Sequence, residues 1–516
     1  MFKQYAIMNI SLPLPLEANS LESMSTHIDS IRVRANSLLD ESKRGQMGQF
    51  MTPSSAARLL AGMFRDLSGD IKVLDAGAGV GSLTGALVER ALENFRPNAI
   101  EAHAWELDSI LVESLHETLE VCEEECQKKD VSLSSKVNST DFIENAVALL
   151  KLKESGEKAP VFNKAILNPP YLKISAKSKE RELLRSVGVE AGNLYSCFVA
   201  LAIILLEKGG ELVAITPRSF CNGPYFNDFR RILLSNNNLT KLHVFESRTK
   251  AFKEDKVLQE NVVFHIVKGE EQGAVDIVSS TCADDPAPSI RRAEFTEVVN
   301  PNNPNRFIHI VTNDEEASIA KRIGGMPCSL GDLGIEASTG KVVDFRTREN
   351  LRYDMEDCCV PLIYPMHFKG GAIDFPIPNS KKPNAILLNE STKKLMVPNG
   401  TYVITKRLTA KEEKRRIVAS LYSSDIAPVD YVGFENKTNY FHSHGEPLEE
   451  DIAKGLWVYL NSNAVDKYFR QFNGHTQVNS TDLRVLRYPT KAQLRSIAQQ
   501  VEQFDQVLFD QLIDSL

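Results

Sequence analysis

Val73-Leu74-Asp75-Ala76-Gly77-Ala78-Gly79-Val80-Gly81 is the stretch from which the architecture of this chain can be read. Ile71 to Leu74 has the apolar, β-branched character of a short buried strand. Three glycines at alternate positions then let the backbone reverse sharply and come close to a ligand. Ser82 to Glu89 continues as a helix whose N-terminus faces the same place. Strand, glycine turn and helix together open a parallel α/β sheet. The dinucleotide fingerprint is G-x-G-x-x-G, whereas this loop is G-x-G-x-G and begins at Asp75. No Lys-Ser/Thr pair follows, which excludes a phosphate-binding P-loop. A tight strand-to-helix turn with no ligand would carry the same letters, and at this point both readings stand.

The strands that follow each end on a polar group. Ala102 to Trp105 runs into Glu106, and a carboxylate at the end of a second strand is where a ribose diol is held. Asp141-Phe142 pairs an acid with a ring, a combination suited to an adenine's amino group and face. The apolar run Ala165-Ile166-Leu167 leads into Asn168-Pro169-Pro170-Tyr171. Two prolines fix φ and remove two backbone donors, so this turn presents acceptors. The Asn168 side-chain oxygen and the Pro169 carbonyl are placed to accept from one planar amine, and Tyr171 adds a flat face. An ordinary turn at a strand end also reads this way.

The coarse pattern predicts three regions. Residues 1–45 form a helical lead-in, with Ile28, Ile31, Leu38 and Leu39 at helical spacing. Residues 46–270 alternate strands with helices; the strands are placed at Val73-Leu74, Ala102–Trp105, Lys164–Leu167, Glu211–Ile215, Lys241–Phe245 and Val262–Val267. A strongly apolar helix, Phe198–Leu206, is expected to stop at Glu207-Lys208-Gly209-Gly210. Turn-rich breaks at Asp284–Pro288 and Asn300–Asn305 suggest a linker over 270–310. Residues 310–516 read as a second, mixed α+β domain that ends in one amphipathic helix near Lys491–Leu512.

Composition narrows the class. At 516 residues, 42% hydrophobic and 25% charged, the chain has the make-up of a globular protein of two or more domains. It has no apolar run long enough to span a bilayer and no secretory signal, so a cytoplasmic location is expected. The eight cysteines lack a metal or disulfide spacing and read as free thiols. No metal site is assigned; His442-Ser443-His444 lacks a third ligand. A net charge of −8 argues against a nucleic-acid partner on average, but DNA needs only a local basic face. Candidates are Lys406-Arg407, Lys411 with Lys414-Arg415-Arg416, and Arg484 with Arg487, each of which serves equally as a solvated, ion-paired surface.

These motifs together resemble the S-adenosylmethionine-dependent DNA adenine-N6 methyltransferases of bacterial type II restriction-modification systems, in the gamma subgroup whose cofactor motif is N-terminal. The resemblance covers most of the chain and is nearest to the modification enzymes that protect CTGCAG. It implies a Rossmann-like α/β catalytic domain followed by a target-recognition domain. Gly48-Gln49-Phe50-Met51-Thr52-Pro53 is similar to the motif around the methionine part of the cofactor, implying Phe50, Thr52 and Pro53 as cofactor residues. Asp75, Gly77 and Gly79 fall in the family's cofactor loop, Glu106 on its ribose acid, and Asp141 and Phe142 on its adenine pair. Asn168, Pro169, Pro170 and Tyr171 fall on its catalytic motif. Asn193-Leu194-Tyr195 resembles the lining of the target-base pocket, and Phe252 in Ala251-Phe252-Lys253 the ring that stacks, with Tyr171, on an extruded adenine. Thr339–Asp344 and Gly474–Leu483 resemble the opening and closing segments of a recognition domain. The resemblance implies double-stranded DNA as partner, a cognate restriction endonuclease sharing the site, and a place at the nucleoid. A methylase of RNA adenine or of protein glutamine, or a non-catalytic DNA-binding relative, shares the catalytic letters.

Overall fold

The computed structural model describes residues 23–39, 51–246, 260–301, 303–410 and 412–516. Its centre is a nine-stranded sheet of order β3-β2-β1-β4-β5-β7-β6-β8-β9. The strands are β1 Gly69–Ala76, β2 Pro97–Trp105, β3 Ser132–Asn138, β4 Phe162–Leu167, β5 Leu206–Pro217, β6 Asn237–Phe245, β7 Asn261–Lys268, β8 Val275–Ser280 and β9 Ser289–Ala293. The first five are parallel; β7 runs antiparallel between β5 and β6, and β9 closes the edge antiparallel to β8. Chain order reverses between β1 and β4, which opens a crevice at the carboxyl ends of those two strands.

The central strands are apolar without alternation because both faces are covered. Successive side chains point to opposite sides. Leu74, Leu167, Leu212 and Phe264 therefore join one core with the helix Leu194–Leu205, while Val73, Ile166, Val213 and Val263 join another with the helices Ser54–Ala61 and Ser82–Asn94. The N-terminal helix Met24–Leu38 packs on the second core through Met24 and Ile28, with Ile31 also buried; of the four predicted apolar positions Leu38 is solvent-exposed.

Three sequence expectations are corrected. The stretch expected as a linker over 270–310 contributes β8 and β9 to the nine-stranded sheet; its Asp284–Pro288 break is the turn between them. The apolar helix ends at Leu205, and Gly209-Gly210 lies inside β5, where the pairing with β4 shifts register. A bulge, not a helix stop, accounts for the paired glycines. The single terminal helix is two, Lys491–Gln499 and Gln506–Asp514, the second capped by Asp505, whose carboxylate accepts from the Val507 and Leu508 amides.

Residues beyond about 330 form a six-stranded and a five-stranded sheet backed by the helices Glu450–Leu460, Asn463–Phe472, Lys491–Gln499 and Gln506–Asp514, with Leu456, Trp457, Tyr459, Phe469 and Phe509 in their shared core. Among the described residues no helix is long and apolar enough to cross a membrane. All eight cysteines are free.

Candidate active site

The crevice between β1 and β4 holds an open pocket, about 860 Å³ of non-atom space that includes the solvent at its mouth. Its wall is built from strand ends. The loop after β1 supplies Gly77, Ala78, Gly79 and Val80; the end of β2 supplies Trp105, Glu106 and Leu107; the segment after β3 supplies Thr140 and Phe142; the end of β4 supplies Asn168 and Pro170. Met51 and Thr52 come from the chain before the helix Ser54–Ala61, and Ser82 from the start of the helix Ser82–Asn94.

The glycine loop shapes the pocket more than it donates to it. The Gly77 and Ala78 amides both donate to the Trp105 carbonyl at 2.9 Å, and the Gly79 amide donates to Glu106 Oε2 at 2.9 Å. Gly81 has φ +83, and a Cβ there would lie 2.8 Å from Leu115 Cδ1, so the turn requires glycine on two counts. Gly79, at φ +58, has nothing within 4 Å of a would-be Cβ, because that position opens on the pocket.

Glu106 is held by three amides: Oε1 accepts from Leu107 at 2.8 Å and from Asp108 at 2.9 Å, beside the Gly79 bond to Oε2. Burial nevertheless raises its pKa above the usual carboxylate range. Asp75, named with it from the sequence, does not line the pocket. It is fully buried behind the loop, accepts from Thr84 Oγ1 at 2.7 Å, and burial pushes its carboxyl up to about 7. It ties β1 to the first turn of the helix Ser82–Asn94. Asp141 is likewise set back: its carboxylate caps the helix Phe142–Glu154 by accepting from Glu144 at 3.0 Å, while its neighbours Thr140 and Phe142 face the pocket. Pro53 sits at the N-cap of the helix Ser54–Ala61, one residue beyond the pocket wall. Phe50 and Phe252 lie outside the described residues, as does Lys411.

At Asn168-Pro169-Pro170-Tyr171 the structure joins two segments that the sequence keeps apart. Asn168 Nδ2 donates to Thr52 Oγ1 at 3.0 Å, and the Tyr171 hydroxyl donates to Asn168 Oδ1 at 2.9 Å. The two bonds fix which way the amide faces. Burial holds the Tyr171 phenol well above the ordinary tyrosine range, so it stays a donor. Its ring meets Tyr195 edge-on, with centroids 6.2 Å apart. Pro169 is buried and Pro170 faces the pocket.

Sequence reading missed Phe198, Trp105, Leu107 and Ser82 as pocket residues. Phe198 packs on Phe142 at 4.9 Å, and Trp105 meets Phe142 at 5.3 Å. Nothing in a uniformly apolar helix marks which residue reaches a cavity. The basic clusters prove to be largely structural. Arg416 is buried and donates to Asn473 Oδ1, Thr409 Oγ1 and the His475 carbonyl; Arg415 binds Asn463, Gln506 and two carbonyls; Arg484 and Arg487 bind the carbonyls of Ala337, Met326 and Pro327. His442 uses both ring nitrogens, with Ser338 and the Gly445 amide, and His444 contacts Glu336.

Comparison with known proteins gives the family. Residues 82–252 match the family model of the Eco57I restriction-modification methylases. The type II methyltransferase M.PstI of Providencia stuartii is 55% identical over 504 residues, 97% of this chain and 97% of that protein. The type II methyltransferase M.BsuBI of Bacillus subtilis is 45% identical over 498 residues, 95% of this chain and 97% of that one. Among solved structures, the type IIL restriction-modification enzyme MmeI in complex with DNA superposes with a TM-score of 0.53 over 95% of this chain and 73% of its own, at 11% identity, a likeness of fold.

Proposed function

This chain belongs to the type II DNA methyltransferases of restriction-modification systems, and from that premise we propose how its residues perform adenine-N6 methylation and where on DNA they act. The observation that carries the reading is the Thr52–Asn168–Tyr171 array beside the strand-end pocket.

The pocket fits S-adenosylmethionine on its own chemistry. Phe142, Phe198 and Leu107 offer apolar faces for an adenine, and Glu106, oriented by three amides, offers an acceptor for a ribose diol. Ser82 Oγ is buried at the pocket wall with no protein partner among the described residues, a polar end for an amino-acid moiety. The space beyond Gly79, which any side chain would enter, completes the cradle. When bound, the cofactor supplies a methyl group already activated on a sulfonium.

The protein then has to hold an amine. The N6 lone pair of adenine is delocalised into the ring. Hydrogen bonds from its N–H groups to Asn168 Oδ1 and the Pro169 carbonyl favour a more tetrahedral nitrogen with its lone pair aimed at the methyl. An amide oxygen accepts two hydrogen bonds, so the Tyr171 bond and the target amine are compatible on Oδ1. Catalysis on this reading is alignment plus stabilisation of the charge that develops on nitrogen. A paired base cannot reach the pocket, so the adenine leaves the stack at a cost on the order of a few kcal/mol, partly offset by the Tyr171 face.

Residues 46–293 would be the catalytic domain and 310–516 the domain that reads the target. We propose CTGCAG as the target, from the resemblance to enzymes that protect it, a cognate endonuclease at the same site, and a cytoplasmic place of work beside the chromosome. Sequencing of genomic DNA from a methylase-free host that expresses the chain tests this. N6-methyladenine at CTGCAG, absent with Asn168→Ala, is expected; modification of another motif would refute the target, and no modified adenine at all would refute the reaction.

A further inference from the structure

The loop after β5 carries a feature that the catalytic array leaves unused. Pro217 to Phe226 leaves the carboxyl end of β5, on the same edge of the sheet as Asn168. Its backbone is rigidly held. Arg230, fully buried, donates to the carbonyls of Phe220, Asn222 and Gly223 at 2.9, 2.9 and 3.0 Å, and its guanidinium lies over the Phe307 ring. Phe226 is stacked on Tyr195 at 5.7 Å, and Tyr195 meets Tyr171 of the catalytic motif. On its other side Phe226 is stacked on His475 at 6.1 Å, in the segment that resembles the close of a recognition domain. A Cβ at Gly223 would lie 3.2 Å from His475 Nε2, and the Gly474 amide donates to Asn222 Oδ1. The loop is thus wedged between Tyr195, which packs on Tyr171, and the C-terminal domain.

On this fixed frame Tyr225 stands 83% exposed, the most exposed of the large apolar side chains among the described residues. Folding does not need it there: its neighbour Phe226 makes the packing contacts. A ring held out on a pre-ordered turn, one residue from the Phe226 ring that reaches Tyr171 through Tyr195, is preorganised for a flat partner, since little further ordering is lost on contact. We propose that Tyr225 stacks on the base step left open when the target adenine leaves the duplex. This rests on the DNA-methylating reading above. The exposed ammonium of Lys173, two residues past Tyr171 and close enough to His475 to act on it electrostatically, gives the same region a positive charge for the flanking phosphates.

The test compares steady-state methyl transfer on two duplexes that carry the site found by sequencing, one fully paired and one with an abasic site opposite the target adenine. A duplex with 2-aminopurine at the target reports extrusion by fluorescence. Tyr225→Ala is expected to lower kcat/KM on the paired duplex by about 10- to 100-fold, the weight of one base–aromatic stack, with a matching loss of the fluorescence rise. Opposite the abasic site, where extrusion costs less, the deficit is expected to shrink to about threefold or less. Tyr225→Phe keeps the ring and is expected to behave as the unaltered protein. Unchanged kinetics of Tyr225→Ala on paired DNA, an equal loss on both duplexes, or an equal loss in Tyr225→Phe would each overturn the proposal while transfer by the unaltered protein leaves the methylase reading standing. Failure of the unaltered protein to methylate either duplex would overturn both.

Discussion

Thr52→Val separates two roles that a threonine at this position can play. Thr52 is 6% exposed, and its hydroxyl accepts from Asn168 Nδ2 at 3.0 Å. Valine keeps the shape and removes the acceptor. The amide nitrogen of Asn168 loses its bond to Thr52, and the amide, still bound by Tyr171, is held in its orientation by one bond fewer. A hydrogen bond deleted from one side of a buried pair costs about 1–2 kcal/mol. Spent on the orientation of the group that holds the target amine, this is a fall of roughly 5- to 30-fold in kcat. Cofactor affinity is expected to change by less than about threefold, since valine fills the same volume at the pocket wall. Single-turnover methyl transfer gives the rate, and calorimetry with the cofactor gives the affinity. A Tyr171→Phe partner completes a double-mutant cycle, in which the two losses should not add because both act through one amide. A rate within about twofold of the unaltered protein, together with a cofactor affinity weakened about tenfold, would refute the reasoning and make Thr52 a cofactor ligand alone.

Other outcomes follow from the same contacts. Gly81→Ala should lower the urea midpoint, since a left-handed φ costs about 1–2 kcal/mol before the clash with Leu115 is counted, while Gly79→Ala should leave the melt nearer the original and weaken cofactor binding in calorimetry. Burial holds His243, His309 and His475 down to about 4, so each binds its proton more readily when unfolded. Stability from these groups is complete above pH 6.5 and is lost as pH falls toward 4, by up to about 1.4 kcal/mol per pH unit per histidine. Asp75, raised to about 7, works in the opposite sense, its contribution lost as pH rises from about 4 to 7, so it offsets roughly one histidine. Urea titrations from pH 7 to 5 that show no net loss would disprove this balance. Glu211→Gln strands the buried Lys164 ammonium and removes the partner of His265 Nε2; a loss of about 3–5 kcal/mol is expected in denaturant, with kcat of the folded protein unchanged.

What could be read from the chain was local. The turn Asp75 to Gly81, the acid at Glu106 and the Asn168–Tyr171 motif each declare themselves within ten residues, because a strand end followed by a turn is a short-range pattern. The parts that escaped depend on partners distant in sequence. Asp75 and Asp141 looked like ligands, yet neither lines the pocket: one Asp75 oxygen accepts from Thr84, and Asp141 caps a helix. Arg416 looked like a phosphate contact, but its partners lie 57 and 59 residues away at Asn473 and His475. The strands β8 and β9 were hidden by the prolines and aspartates of the turn that joins them. Phe198 is one apolar residue among many in its helix, and only the packing of Phe142 against it shows that it walls a pocket.

The seam between the two halves bears on how such enzymes can acquire new targets. Arg218 is buried with Glu260 and reaches across to the carbonyls of Arg470 and Gln471, and Asn222 bonds both Asp482 and the Gly474 amide. The partners at 470, 471 and 474 are backbone atoms, so a C-terminal half transplanted from a relative satisfies the buried guanidinium and amide only if it docks in the same register and keeps an acceptor at position 482. A viable chimaera should therefore carry residues 218–230 and 470–482 from the same parent, with the cut made elsewhere. Where the C-terminal half reads the target, specificity is then inherited as a matched pair of surfaces and does not travel as a detachable cassette.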